Sequence, residues 1–258
     1  MRIATWNVNS VKARLPYLLD WLATREPDVV CLQELKTPDE KFPRPELAEA
    51  GYHAYVHGQP RWNGVAVLSR QPGTMTQAGL PGAADHGARL ITVTIDELSV
   101  TSVYVPNGKH LQHADFAMKL AWLSSLVDYL SDSLKGGGAV VVAGDFNVTC
   151  SDADTHDAEG LRDHIFHSAE ERAAMTKLVD SGLVDLYRET NPEGGMFSWW
   201  DYRGGGFHRN LGLRIDLLMA SPTILQSVQE VWTDRDFRKK RDGQTPSDHA
   251  PVIADLKD

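Results

Sequence analysis

Cysteine is scarce in this chain, which has two in 258 residues. Cys31 and Cys150 cannot build a structural zinc site between them, and a disulfide framework needs more than one pair. We therefore expect a reducing compartment and a cytoplasmic protein. The longest uninterrupted apolar run, residues 139–143, is far too short to cross a bilayer, and no apolar signal segment follows Met1. We expect no association with a membrane.

Several common catalytic motifs are also missing. The chain has no Gly-x-x-x-x-Gly-Lys-Ser/Thr phosphate loop, no His-Glu-x-x-His zinc motif and no Gly-x-Ser-x-Gly nucleophile elbow. These absences exclude P-loop nucleotide hydrolases and zinc proteases of the His-Glu-x-x-His type, and they remove the usual signature of a serine esterase.

The composition is that of an ordinary globular protein, with 42% hydrophobic and 24% charged residues. No linker or charge block divides the sequence, so we expect a single domain over residues 1–258. The formal net charge of −9 argues mildly against nucleic acid as a partner. Net charge does not locate charge, however, and an acidic protein can hold a basic rim beside a cleft of carboxylates.

Apolar runs and helical spacing alternate along the chain and predict an α/β fold. A first helix is expected after Ser10, which can cap it, and Pro27 would end it. A turn at Asp96-Glu97 joins two strands as a hairpin, which favours mixed sheets over parallel ones. The predicted strands are 2–6, 28–32, 64–69, 89–95, 98–105, 139–143, 213–220 and 252–256, and further helices are predicted over 113–134 and 169–180.

Polar residues stand directly after several of these strands. Rigid strands position such groups and the loops that follow expose them, so strand ends are where α/β proteins gather their sites. Four strands end in this way and a fifth polar segment stands just before the last strand, and together the five predict a shared site. The residues concerned are Asn7, Asn9, Glu34, Tyr104, Asn107, Asp145, Asn147, Asp248 and His249.

Several of these residues, and Asp216 as well, also have a plainer interpretation. Asp145 and Asn147 lie on one side of an extended segment and suit a water near a hard cation, or they form an Asx turn. Glu34 is a cation ligand or an ordinary exposed carboxylate. Asp216, inside an apolar strand, either fixes the tautomer of His249 and keeps it protonated or forms a salt bridge with Arg214. Oxygen-rich ligands without thiols indicate Mg²⁺ or Mn²⁺.

At these residues the sequence resembles the exonuclease III family of bacterial apurinic/apyrimidinic (AP) endonucleases, within the endonuclease/exonuclease/phosphatase superfamily. The shared motifs occur in family order over nearly the whole chain. The resemblance implies a four-layered α/β sandwich, in which two mixed β-sheets pack face to face with helices outside. The motifs are Trp-Asn-Val-Asn-Ser (6–10), Leu-Gln-Glu-Leu-Lys (32–36), Asn-Gly-Val-Ala (63–66), Tyr-Val-Pro-Asn-Gly (104–108), Gly-Asp-Phe-Asn-Val (144–148), Phe-Ser-Trp-Trp-Asp-Tyr-Arg (197–203), Gly-Leu-Arg-Ile-Asp-Leu-Leu (212–218) and Ser-Asp-His-Ala-Pro (247–251).

The resemblance also implies a role for each site residue. Glu34 is expected to be the principal ligand of Mg²⁺, for which Mn²⁺ can substitute. Asp145 would activate the attacking water, and His249 paired with Asp216 would neutralise the scissile phosphate. The wider metal set is Asn7, Asn9, Asp145, Asn147, Asp248 and His249; Tyr104, Asn147, Asp216 and Asp248 join the catalytic set; and Asn107, Trp199, Leu213, Ile215 and Arg209 are expected to bind substrate.

The expected activity is that of a DNA repair nuclease. It would cut duplex DNA 5′ to abasic sites, act as a 3′–5′ exonuclease and remove blocking groups from 3′ ends, working as a monomer. The basic run 238–241 would grip the phosphate backbone or is a solvated loop. A phosphatase or phospholipid phosphodiesterase with the same metal core is an alternative, and a catalytically silent DNA-binding module is another.

Overall fold

Two six-stranded sheets form the centre of the computed structural model, which describes residues 1–241 and 243–257. The first sheet has the order β11-β12-β1-β2-β4-β3 and the second β5-β6-β7-β8-β10-β9. Each has one parallel pair at its middle, β1 with β2 and β7 with β8, flanked by antiparallel neighbours. The strands are β1 (Arg2–Asn7), β2 (Val29–Gln33), β3 (His53–His57), β4 (Val65–Ser69), β5 (Thr74–Ala78), β6 (Leu90–Ile95), β7 (Leu98–Tyr104), β8 (Ala139–Asp145), β9 (Val184–Asp185), β10 (Asp216–Ala220), β11 (Val228–Thr233) and β12 (Val252–Leu256).

The sheets pack face to face, and one apolar core contains side chains of both. Ile3 and Cys31 of the first sheet share it with Val93 and Val141 of the second. Alternate residues of the same strands face the other way, towards helices, which is why these strands are continuous apolar runs. The helices are α1 (Val11–Arg25), α2 (Arg44–Glu49), α3 (Ala114–Lys135), α4 (Ala169–Asp180), α5 (Leu186–Thr190) and α6 (Pro222–Leu225).

The outer faces of the sheets are covered by different helices. Trp21 of α1 and Leu47 of α2 pack with β1 and β2, whereas Trp122 of α3 and Leu178 of α4 pack against the outer face of the second sheet. This arrangement confirms the four-layered α/β sandwich with two mixed sheets. None of the described helices is both long and apolar enough to span a membrane.

The ends of the chain meet in the first sheet. β1 pairs antiparallel with β12, so that Arg2 lies opposite Asp255 and their side chains form a salt bridge of 2.6 Å. The amino group of Met1 also donates to the backbone oxygen of Leu256. The first described strand, β1, is therefore hydrogen-bonded to the last one, β12.

Most predicted elements are confirmed, with corrections at the edges. The helix over 169–180 and the strand over 252–256 have the predicted bounds, and the Asp96-Glu97 turn joins β6 to β7. The strand predicted over 213–220 is wrong at its start. It begins at Asp216, because Leu213 leaves the sheet and pairs with Thr155 and Trp199. Four strands were not predicted because they are short or polar: β3, β5, β9 and β11.

Gly144 of β8 lies directly against the backbone of Val103 in β7. A Cβ atom there would stand 1.9 Å from the backbone oxygen of Val103, whereas one on the exposed Gly138 would meet nothing within 4 Å. We expect Gly144→Ala to lower the free energy of unfolding by about 3 kcal/mol or more, since the clash is with backbone that cannot move aside. Urea denaturation of both variants measures this. Equal stability of Gly144→Ala and Gly138→Ala would contradict it.

Candidate active site

The polar strand ends converge at one edge of the sandwich. Because β1 is parallel to β2 and β7 to β8, all four place their carboxyl ends there, and β10 begins there with Asp216 opposite Asp145. The Asn7 amide nitrogen joins the two sheets, donating to Glu34 Oε1 and to Asp145 Oδ2, each at 2.9 Å. One ligand atom from each of Glu34, Asp145 and His249 lies within 4.8 Å of the others. The shared site predicted from the strand ends is therefore present.

Left-handed backbone turns the chain sharply at this edge. Asn9, Glu34, Lys36 and Asn147 have φ angles of 45°, 52°, 53° and 52°. Such a conformation costs free energy in residues other than glycine, and it persists where surrounding contacts hold it. The geometry directs side chains into the cleft immediately after each buried strand.

Asp145 and Asn147 form the Asx turn, one of the two interpretations that the sequence left open. Asp145 Oδ1 accepts a hydrogen bond from the Asn147 backbone nitrogen at 2.9 Å, which is the Asx-type turn. Its other oxygen, Oδ2, faces the cleft and accepts from Asn7. The Asn147 amide nitrogen donates to the Val105 backbone oxygen at 2.9 Å, which ties the two strand ends together. The turn is thus the means by which one carboxylate oxygen is aimed into the site.

His249 is held between two carboxylates. Its Nδ1 lies 2.8 Å from Asp216 Oδ2, and its Nε2 lies 3.8 Å from Asp145 Oδ2. The alternative of an Asp216–Arg214 salt bridge is wrong, because Arg214 pairs with Asp154 and Asp185. Burial lowers the pKa of His249, but Asp216, Asp145 and Asp248 outweigh it and raise that pKa to about 10. The imidazole is therefore a cation at neutral pH.

The two cleft carboxylates differ in their proton affinity. Burial raises the pKa of Asp145 to about 7, and the charges of Asp216 and Glu34 act in the same direction against His249. Burial also favours the neutral form of Glu34, but Lys36 and the Asn7 amide lower its pKa below the usual value. Glu34 is thus a fixed anion, whereas Asp145 can gain and lose a proton near neutral pH, as a general base requires.

A second set of contacts supports the cluster from the side of α1. Asn9 donates to Asp248 Oδ1 at 2.9 Å, and Trp199 Nε1 donates to Asp248 Oδ2 at 3.0 Å. The Lys36 ammonium lies 2.6 Å from Asn9 Oδ1 and 2.8 Å from Glu34 Oε2. Asn9 and Asp248 therefore bond mainly to protein groups. Lys36 is a member of the site, although the sequence showed it only as the last residue of the 32–36 motif.

Tyr104 enters the site as a neutral phenol. Burial raises its pKa well above the usual value, and the charges of Glu34 and Asp145 add to that effect. The Arg89 guanidinium lies 4.7 Å from the centre of the Tyr104 ring and donates to the Tyr104 backbone oxygen. Arg89 was not singled out from the sequence; its position opposite Tyr104 depends on the β6–β7 pairing, which motif spacing does not reveal.

The expected substrate-binding residues are placed less uniformly. Asn107 is exposed, and its side-chain oxygen accepts from the Lys109 backbone nitrogen. Arg209 lies on an exposed loop. Trp199 is partly exposed and pairs through its backbone with Leu213 and with His249, whereas Leu213 and Ile215 are 4% and 2% exposed. Their roles stay predictions.

The basic run 238–241 is divided among several environments. Arg238 is buried, donates to the Asp248 and Trp200 backbone oxygens and stacks on Tyr202. Lys239 pairs with Asp236, and Arg241 pairs with Asp20. Lys240 is exposed and lines a cavity of about 350 Å³ beside Tyr202. The run is therefore neither a uniform phosphate grip nor a simple solvated loop.

The residues present fit a divalent cation. The carboxylates of Glu34 and Asp145 lie together beside His249, and Asp216 Oδ1 is buried with no hydrogen-bond partner. The donors are oxygen atoms without thiolates, the set that hard cations prefer. Burial is the main cause of the raised pKa of Asp145, and a cation here would offset the repulsion from Asp216 and Glu34 that adds to it.

Comparisons with known proteins agree with this chemistry. The Endonuclease/Exonuclease/phosphatase family profile matches residues 4–249. Exodeoxyribonuclease III of Haemophilus influenzae is 33% identical over the full length of both chains. The structure of the 3′ phosphatase NExo from Neisseria bound to a product DNA hairpin has a TM-score of 0.96 at 39% identity, covering 100% of this chain and 99% of that one. An AP endonuclease from Archaeoglobus fulgidus gives 0.95 at 32% identity, with 99% of each chain covered.

The charge on His249 should depend on Asp216. We expect Asp216→Asn to lower the His249 pKa from about 10 towards its usual value of 6.5, because Asp216 is the main group that raises it. A folded-state pKa raised in this way stabilises the protein below the usual pKa, and that contribution is lost as pH rises through about 10. NMR titration of the imidazole nitrogens measures the pKa, and urea denaturation at several pH values measures the stability contribution, with the exposed Asp132→Asn as control for both. An unchanged His249 pKa would refute the pairing.

Proposed function

The chain belongs to the endonuclease/exonuclease/phosphatase family, and from that premise we propose that it is a Mg²⁺-dependent DNA repair nuclease acting on 3′ ends and abasic sites. It is a metal-dependent phosphodiester hydrolase of the exodeoxyribonuclease III and AP endonuclease type. The observation that carries the finer assignment is Asp145 Oδ2, which faces both the Asn7 amide and the His249 imidazole beside Glu34.

Hydrolysis needs a base for the attacking water, positive charge at the phosphate and stabilisation of the leaving oxygen. Asp145, whose Oδ2 faces the cleft, takes a proton from water as the water oxygen attacks phosphorus. Asn147 positions that water. The His249 imidazolium and the Tyr104 hydroxyl donate to the non-bridging oxygens as charge builds there. The P–O3′ bond then breaks, the leaving O3′ takes a proton from solvent water to become the 3′-hydroxyl, and Asp145 returns its proton to solvent.

Glu34 and Asp145 would hold the Mg²⁺, with Asn7 and Asn147 bonded to the ion or to its waters. When bound, the ion would supply positive charge to the phosphate and lower the pKa of the attacking or leaving group. His249 is assigned to the phosphate instead, because an imidazolium has no free lone pair for a metal. Asn9 and Asp248 would support the site from outside, since their oxygens already accept from Lys36, Asn9 and Trp199.

The substrate we propose is duplex DNA. Three relatives support it: one is named an exodeoxyribonuclease, one a 3′ phosphatase bound to DNA and one an AP endonuclease. The NExo phosphatase has the highest identity of the three, so removal of nucleotides and phosphates from 3′ ends takes first place. Cutting 5′ to abasic sites is the second activity, with Trp199, Leu213 and Ile215 as the walls of a pocket for the bare sugar. Lys240, Arg209 and Asn107 lie exposed and are proposed to contact the phosphate backbone.

Both cysteines are free thiols, which supports a reducing compartment such as the cytosol. We also propose that the protein acts as a monomer. A binding module without catalysis is disfavoured, because a carboxylate cluster repels phosphate unless a cation and a reaction give it a use.

Metal binding should require the Glu34 carboxylate. We expect Glu34→Gln to weaken Mn²⁺ binding by at least about tenfold, because an amide oxygen is a weaker ligand for a hard cation. Calorimetric titration of Mn²⁺ measures the affinity without any assay of activity. Glu40→Gln removes an exposed carboxylate a few residues away and should bind like the wild type. Equal affinities of the two variants would remove Glu34 from the metal site.

The proposed function is tested on three matched duplexes, with a recessed 3′-hydroxyl end, a 3′-phosphate end and an internal abasic site. With Mg²⁺ the wild type should process all three, fastest at 3′ ends, and chelation should abolish the reaction. Asp145→Asn should lower the single-turnover rate by about 10²–10⁴-fold while DNA binding survives, because a base is lost but the fold is kept.

Each contrary result has a separate meaning. Hydrolysis of small phosphate monoesters without action on DNA would identify a phosphatase instead. DNA binding without any cleavage in Mg²⁺ or Mn²⁺ would identify the binding module. Normal cleavage by Asp145→Asn would overturn its role as the base.

A further inference from the structure

A lysine lies fully buried beneath the two catalytic loops. Lys119 of α3 has 0% side-chain exposure, and its ammonium donates to the backbone oxygens of Asn147 at 2.6 Å and Asn107 at 3.3 Å. The third partner is the Glu171 carboxylate of α4, which is also fully buried. The three hydrogens of one ammonium group therefore reach three different segments, and two of these follow the strands that place Tyr104 and Asp145.

The Asn147 backbone needs such support. It is left-handed, with a φ of 52°, and Asn147 itself supplies two bonds that hold the turn, to Asp145 Oδ1 and to the Val105 oxygen. Both of those partners belong to the same pair of strand ends. Lys119 instead holds the Asn147 carbonyl from a helix, so it ties the turn to a rigid element outside the loops.

The aliphatic part of the Lys119 side chain is also closely packed. Gly108, directly after Asn107, has a φ of 86°, and a Cβ atom there would lie 3.1 Å from Lys119 Cδ and 3.0 Å from Ile165 Cδ1. The loop after β7 therefore rests directly on the lysine. Any movement of Lys119 would shift this loop and the Asn147 turn together.

Glu171 is itself fixed at the start of α4. Its Oε1 accepts from the Phe166 backbone nitrogen, and its Oε2 accepts from the nitrogen and hydroxyl of Ser168, which caps the helix. A buried ion pair is often no more stabilising than apolar residues of the same volume. Stability alone therefore does not explain a buried lysine at this position. The two backbone oxygens of Asn107 and Asn147 do explain it, because both need a hydrogen-bond donor and one ammonium group serves both.

We propose that Lys119 is a positioning residue for the hydrolysis, holding Asn147 and the Asn107 loop in the geometry in which Asn147 orients the water and Asp145 receives its proton. It touches neither substrate nor metal and acts through those two carbonyl oxygens. The inference rests on the proposed nuclease function, in that its readout is cleavage of DNA.

The test is a double variant that removes the charge of both partners. Lys119→Met with Glu171→Gln keeps the shape of the pair and leaves no buried unpaired charge, so we expect it to fold. Misplacing a reacting group by about 1 Å can cost about 10²-fold, so kcat at recessed 3′ ends should fall by about 10- to 100-fold. KM should change by less than about threefold, since a misplaced water weakens the reaction and not the grip on DNA.

Two further variants separate positioning from stability. Glu171→Gln alone retains the Lys119 bonds to both carbonyls, and it should lower the melting temperature with kcat near that of the wild type. Arg25→Met breaks the 2.7 Å pair with buried Asp234 at the far end of α1, and should likewise destabilise without changing kcat. Lys119→Ala should regain part of its kcat when propylammonium is added, but not with tetramethylammonium, which cannot donate hydrogen bonds.

The possible results distinguish a failure of the proposed function from a failure of the positioning role. A wild type that does not cleave DNA refutes the proposed function and not the role of Lys119 in shaping the loops. An active wild type with an equally active double variant overturns the positioning role. So does a variant whose kcat falls only in proportion to its loss of folded protein, as the Arg25→Met control would show. A selective fall in kcat, with recovery by propylammonium in Lys119→Ala, supports it.

Discussion

The Asn7 amide donates a hydrogen bond to a carboxylate of each sheet, and the geometry of the whole site depends on these two bonds. The ends of two separate sheets must stand about 3 Å from a common side chain, so the sheets have to be packed in one relative position. The shared apolar core between them provides that position, and the helices outside shield it from water. The catalytic groups therefore depend on packing that extends far from the cleft.

The ionisable groups at this edge of the sandwich differ in their protonation at neutral pH. Glu34 is kept ionised by Lys36, Asp145 is near the point of changing its protonation at neutral pH, and His249 is kept positive by Asp216. These differences come from burial and neighbours, since Asp and Glu have nearly the same intrinsic pKa. One small volume thus holds a permanent anion, a base and a cation, which is the combination that phosphoryl chemistry needs.

Much of this was predictable, and the rest fails for physical reasons. Buried strands followed by polar residues indicated the site, and the ordered motifs gave the fold. Local patterns do not show which distant group a side chain meets. For that reason Arg214 was offered as the partner of Asp216, Lys36 and Arg89 were not seen as site residues, and the basic run at 238–241 was treated as one feature. Edge strands such as β5 were missed because exposure along the whole strand removes the apolar alternation on which prediction depends.

The pairing of β1 with β12 has a consequence for synthesis on the ribosome. Among the described strands β1 emerges before all the others, whereas its antiparallel neighbour β12 and the Asp248-His249 segment just before β12 emerge after them. Until then the central strand of the first sheet has one open edge and the cleft has no imidazolium. Long-range pairing of this kind is slow to form because the intervening chain must be closed into a loop first. A nascent chain therefore lacks one edge of the first sheet and one side of the cleft until the last described strand has emerged and docked.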